Sequence, residues 1–159
     1  MKKISFLTKL AKEGKLQVIE SSEEINKAYL QRSNESLLSS KALFKIGNLK
    51  DAVALGYYSM YHCLQALLFR VGIKCENHSA SIMLLKEIFD INNNKISKAK
   101  SDRIDKQYYV DFSINQEETN NSIVIAEEFI ATINDFLAKL NEKNIKEYRE
   151  KAISLFVND

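Results

Sequence analysis

The stretch Asp51-Ala52-Val53-Ala54-Leu55-Gly56-Tyr57-Tyr58-Ser59-Met60-Tyr61-His62-Cys63-Leu64-Gln65-Ala66-Leu67-Leu68 decides the fold. No charged residue falls between Ala52 and Phe69, and apolar residues occupy every helical phase. A helix running from about Lys50 to Val71 is about 30 Å long at ~1.5 Å per residue, close to the thickness of a membrane core. Gly56, Ser59, His62, Gln65 and three tyrosines within it argue against lipid. A helix apolar on all sides is then the centre of a water-soluble bundle.

The flanks support a hairpin. Ser21-Ser22-Glu23-Glu24 reads as a capping box, with Ser21 as cap and Glu24 reaching back. The helix it opens carries Ile25, Ala28, Tyr29, Leu37, Leu38, Ala42 and Ile46. Gly47 terminates it in a left-handed conformation, Asn48 caps the central helix and Gly72 ends it. So short a connection makes the two helices antiparallel neighbours. One face of the central helix is small: Ala52, Gly56, Ser59, Cys63 and Ala66. Such a seam lets another backbone approach, either the preceding helix or a second copy of the chain.

Beyond Gly72 the sequence predicts a polar bend, Lys74-Cys75-Glu76-Asn77-His78, and a helix over Ser79 to Phe89. Asn92-Asn93-Asn94 reads as a loop and Ser97 to Tyr109 as a charged helix. Helix starts at Ser113-Ile114-Asn115-Gln116 or Asn115-Gln116-Glu117-Glu118 open a long helix. Its stripe is Ile123, Ala126, Ile130, Ile133, Leu137 and Leu140. The expected fold is all-α: an up-and-down bundle of four to five main helices with short extra helices at the termini. One domain spans 1–159, with its core about 22–141 and an amphipathic C-terminal helix over 144–157. The absence of proline and the presence of only 4 glycines fit long helices.

Composition limits function. With 23 basic and 21 acidic residues, a net charge of +2 announces neither a nucleic-acid nor a membrane partner. Cys63 and Cys75 make no disulfide framework, which fits a reducing, cytoplasmic setting. Lys9 and Lys12 interrupt the N-terminus before a signal-peptide core can form, so a short amphipathic helix is expected there. There is no glycine-rich phosphate loop, nucleophile elbow or paired-histidine zinc motif. No cofactor and no metal are expected.

Two histidines exist. His62, in the phase of Tyr58 and Phe69, reads as a core histidine bonded to a neighbour. His78 reads as a helix-mouth residue that caps, bonds structurally or faces a cleft. Cys75 and His78 supply only two ligands of a metal set. The most chemical stretch is Lys95 to Tyr109, where five basic residues stand against two acids. Arg103 has the planar fork that binds phosphate, and nearby tyrosines can stack on a base. The candidate binding residues are Lys98, Lys100, Asp102, Arg103, Lys106, Tyr108, Tyr109 and His78, with Arg103 as the candidate catalytic residue. The bland alternative is a solvated helix face on which Asp102 and Asp105 pair locally.

The central-helix residues quoted above, followed by Gly72-Ile73 and Asn77-His78-Ser79, resemble the HEPN domain, and more narrowly its small stand-alone prokaryotic group. Arg103-Ile104-Asp105-Lys106-Gln107-Tyr108, then Phe112 and the acidic helix start Glu117-Glu118, add to the likeness. It spans roughly Ile25 to Leu140. The resemblance implies a helical bundle, usually a homodimer, often working beside a small nucleotidyltransferase in toxin–antitoxin or defence-like pairs. It implies metal-independent RNA cleavage by an arginine and a histidine four to six residues later. Here those positions read Gln107, Tyr108 and Tyr109, and His78 occupies a different family position. The expectation is therefore a nucleotide-, RNA- or partner-binding component without efficient nuclease activity. The alternatives are a metal-independent endoribonuclease using Arg103 and a helical scaffold subunit.

Overall fold

The computed structural model describes the backbone of residues 2–108 and 113–157 and the side chains of residues 5–104 and 113–157. The elements run α1 (Lys2–Lys12), β1 (Leu16–Val18), α2 (Glu23–Lys45), α3 (Leu49–Val71), β2 (Ile73–Cys75), α4 (His78–Glu87), α5 (Asn94–Tyr108), α6 (Gln116–Lys139) and α7 (Glu142–Val157). The protein is a helical bundle with one small sheet. α3 is its axis, packed against α2, α5 and α6. Its large buried side chains include Tyr57, Met60, Leu64, Leu67 and Leu68.

The hairpin caps differ in detail from expectation. Ser22, not Ser21, caps α2, its hydroxyl accepting from the Ile25 N–H at 3.1 Å. The Ser22 N–H is itself held by the Phe69 carbonyl, which fixes where the helix begins. Asn48 precedes α3 but makes no side-chain cap; its Nδ2 donates to Asp51 Oδ2 at 2.9 Å. Gly47 and Gly72 take the left-handed conformations expected, at φ 81 and 88. At Gly72 a side chain would also collide with Arg149 and the Ile19 carbonyl.

The small-residue seam is used within the chain, by α2. Asn26 Nδ2 donates to the Ala66 carbonyl at 2.9 Å, Ser33 Oγ to Ser59 at 2.7 Å and Ser40 Oγ to Ala52 at 2.6 Å. Donors and acceptors both recur every seven residues, in opposite directions, as antiparallel helices in coiled-coil register require. The buried polar groups are satisfied by spare lone pairs of helix carbonyls. Only small side chains on α3 leave α2 near enough to reach them.

The bend after Gly72 is a strand. β2 pairs antiparallel with β1, with Leu16 opposite Cys75, Gln17 opposite Lys74 and Val18 opposite Ile73. Leu16, Ile73 and Cys75 are buried while Gln17 and Lys74 are exposed, the alternation of a half-buried sheet. α5 begins at Asn94, three residues earlier than expected. α6 is capped by Asn115, whose side chain accepts from the Glu118 N–H at 2.8 Å. α1 and α7 pack together, and Leu7, Leu10, Ala152 and Phe156 join the core cluster.

Candidate functional site

The site forms where α3, α4 and α5 meet. α3 carries Tyr57 and Tyr58 on successive positions, so their rings diverge: Tyr57 is buried and Tyr58 half-buried. The guanidinium carbon of Arg103, on α5, lies 5.4 Å from the Tyr57 ring centre and 5.3 Å from that of Tyr58. Arg103 Nη1 donates to the Tyr58 hydroxyl at 2.8 Å. Aromatic faces attract the cation without neutralising it. Its Nε is buried and has no hydrogen-bond partner among the described residues.

His78 opens α4. Asn77 does the capping, its side chain accepting from the Ala80 N–H at 2.9 Å, which leaves His78 free to turn toward α3. Its Nδ1 lies 2.8 Å from the Tyr57 hydroxyl, and its ring stacks on Tyr61 at 3.8 Å between centres. Burial pushes the His78 imidazole below its ordinary pKa, and the positive charges of Arg103 and Lys100 push the same way. The ring is thus neutral at pH 7. Burial also raises the Tyr57 phenol, which stays protonated. A phenol both donates and accepts, so Tyr57 can hold either tautomer of the ring. Next to it Lys100 Nζ donates to Ser79 Oγ at 2.7 Å, closing the cluster from α5.

A family model described as "HEPN domain" matches residues 26–136. The chain belongs to the HEPN family. A protein of Methanocaldococcus jannaschii named "Putative toxin MJ0605" is 28% identical over 125 residues, covering 74% of this chain and 92% of its own length. A Pyrococcus horikoshii protein named "UPF0332 protein PH1297" is 37% identical over 62 residues, covering 39% of this chain and 43% of its own length.

The basic strip of this HEPN domain is split by the helix it lies on. Lys100 and Arg103 face α3 and α4. Lys98 and Asp102, four residues apart, pair with each other at 3.1 Å and line a separate cavity of about 530 Å³ with α6 residues. The expected local pairing of Asp102 is therefore present, but away from Arg103. Tyr109 and the side chains of Asp105, Lys106 and Tyr108 lie outside the described residues.

His62 is not the bonded core histidine expected. It is half-buried among Tyr29, Tyr58 and Tyr61, and its Nδ1 is buried without a partner. Tyr57, Tyr58 and Tyr61 are the site residues that sequence reasoning missed. They were visible as an aromatic run, but nothing local assigns them to Arg103 or His78. No group of three or more His, Cys, Asp or Glu side chains able to hold a metal occurs among the described residues. No helix among them is long and apolar enough to cross a membrane.

Proposed function

We propose that this HEPN protein is the RNA-engaging member of a toxin–antitoxin-type pair, gripping a backbone phosphate with Arg103 and Lys100 beside His78. The observation that carries this reading is the state of Arg103. Its guanidinium is held by a neutral group, the Tyr58 hydroxyl, between two tyrosine rings. A cation so placed keeps its charge and donors for an incoming phosphate. The toxin name of the M. jannaschii relative supports the same direction. In this reading the chain acts as one domain, as a cytoplasmic homodimer, with a nucleotidyltransferase-like protein as cognate partner.

Binding of a fluorescent single-stranded RNA, followed by anisotropy across a salt titration, tests it. Salt-dependent binding that weakens about tenfold or more in Arg103→Ala is expected, the size of one lost charge-assisted bond. Equal binding by the variant would remove Arg103 from the interface.

A second reading, metal-independent RNA cleavage, is favoured by one observation: a histidine flanks the same tyrosine as the arginine. Arg103 would stabilise charge on the phosphate. His78 would move the proton between the ribose 2′-hydroxyl and the leaving oxygen, with Tyr57 holding its far nitrogen. His78 would then fill from α4 the role left vacant after Arg103 in the chain. RNA cleavage in excess chelator, lost in His78→Gln with RNA binding retained, is the expected signature. Intact RNA in the wild-type reaction leaves the binding reading alone.

A further inference from the structure

We propose that a second cavity, between α2 and α3, receives a nucleobase of the RNA whose phosphate Arg103 holds. This deepens the binding reading above and rests on it. The cavity measures about 220 Å³ and is lined by Tyr29, Arg32, Tyr61, His62, Gln65 and Phe69, together with residues of β2. That is below the volume of sites for drug-sized ligands and suits a single ring system.

Its walls are those of a base site. Tyr29 and Phe69 stack on each other at 5.3 Å with 10° between their planes, giving a flat aromatic flank. His62 contributes a buried Nδ1 that no described residue satisfies. That atom is closed to the cavity, so His62 offers a ligand its ring rather than Nδ1. Gln65 is spent within the protein, its Nε2 donating to Ser81 Oγ at 3.2 Å, whereas Arg32 adds an exposed cation near His62. A flat aromatic ring can stack against these walls, which an aliphatic ligand cannot, and polar groups on its edge can reach Arg32.

The cavity is also connected to the phosphate site. The His62 ring stacks on Tyr58 at 6.2 Å, and Tyr58 is the residue that holds Arg103. Two aromatic steps thus separate the guanidinium from the orphaned nitrogen, a span that a short piece of single-stranded RNA covers. Bases stacked on protein aromatics bind without strict sequence choice, so recognition of one unpaired base is the expected outcome.

The test uses the whole chain and two labelled probes: a five-nucleotide RNA and an abasic ribose–phosphate oligomer of equal length. Wild-type protein should bind the base-bearing probe about tenfold more tightly, the effect of one stacked base. Tyr29→Leu and His62→Ala should each abolish that preference while leaving abasic binding unchanged. Arg103→Ala should weaken both probes alike. Because the chain has only 2 histidines, the His62 ring signals are assignable by NMR, and in wild-type protein they should shift with the base-bearing probe only. Equal affinity for the two probes, or a preference that survives both variants with unmoved His62 signals, overturns the base site and leaves the phosphate reading standing. Absence of binding by either probe overturns both.

Discussion

The Tyr57 hydroxyl and His78 Nδ1 lie 2.8 Å apart, joining the middle of α3 to the first turn of α4. Arg103 reaches the same tyrosine from α5, over its ring face. One buried phenol thus sets a histidine and an arginine on a common frame, although 25 residues separate them in the chain. The electrostatic consequence is direct. A cation near an imidazole disfavours its protonation, and burial does so more strongly here.

Removing the cation should therefore raise the His78 pKa. In Arg103→Gln the value is expected to move up but to stay below the ordinary 6.5, because burial, the larger cause, remains. Lys100→Gln should move it in the same direction by less. Histidine proton shifts followed against pH check both. A His78 titration unaffected by Arg103→Gln would place the two groups farther apart than their shared tyrosine implies.

Stability should fall on mild acidification. Both histidines are held below their ordinary value of 6.5, each mainly by burial. Between their folded values and 6.5 the unfolded chain binds more protons, so unfolding stability rises with pH through that window. The contribution is complete above the unfolded value and is lost as pH drops through the folded values. Thermal melts between pH 7.5 and pH 5, above the ordinary carboxylate range, should show a decline that His62→Gln together with His78→Gln flattens.

Much of the bundle was legible from local signals. The uncharged run of α3, the two terminating glycines and the stripe of α6 each act within a few residues, and each is where expected. The sheet was not legible, because three-residue strands are too short for alternation to show and β1 pairs across 55 residues at its inner edge. The seam was half legible. Small residues on α3 announced a close approach, but its partner is three polar residues, Asn26, Ser33 and Ser40, that look like surface until their seven-residue spacing is set against that of Ala52, Ser59 and Ala66. In the site, Arg103 and His78 were found separately by residue type. Their meeting across Tyr57 is a long-range contact that no spacing along the chain encodes. The split of the basic strip, by contrast, follows from helical phase, since Lys98 and Asp102 sit one turn apart.

The seam hydrogen bonds should each carry a modest share of stability. Ser33→Ala and Ser40→Ala are expected to destabilise by about 1 kcal/mol apiece, the net value of a typical buried bond. The loss stays modest because the Ser59 and Ala52 carbonyls lie within α3 and keep their helical partners. Ser33→Leu should cost more than either, since added volume forces α2 off α3. Urea unfolding measures all three.

Gly56 separates tolerance from overpacking at the same seam. A methyl group there would meet only Ser40 Oγ, at 3.6 Å, an ordinary contact. Gly56→Ala should therefore be neutral or stabilise by up to about 1 kcal/mol through helix propensity. Gly56→Leu should destabilise by about 1–3 kcal/mol by driving into α2. Because α2 already fills this face, Gly56→Ala should leave the mass in solution unchanged. A change of oligomeric mass would reveal that a second copy also uses the seam.

Gly72 should tolerate nothing larger than hydrogen. Its φ of 88 is left-handed, and a Cβ would run into the Ile19 carbonyl and the Arg149 guanidinium. That guanidinium comes from α7 and donates to the carbonyls of Ile19 and Val71, so the turn between α3 and β2 is clamped from the other end of the chain. Gly72→Ala combines backbone strain with steric overlap and should destabilise by about 2–4 kcal/mol. Arg149→Ala removes the overlapping group but also the clamp, leaving the Ile19 and Val71 carbonyls one donor short. If the collision with the side chain dominated, Arg149→Ala would rescue Gly72→Ala. The Ile19 carbonyl is backbone and cannot withdraw as a side-chain tip does, so the double variant is expected to remain less stable than Arg149→Ala alone. Unfolding curves for the pair of single variants and the double variant decide between a backbone and a side-chain origin.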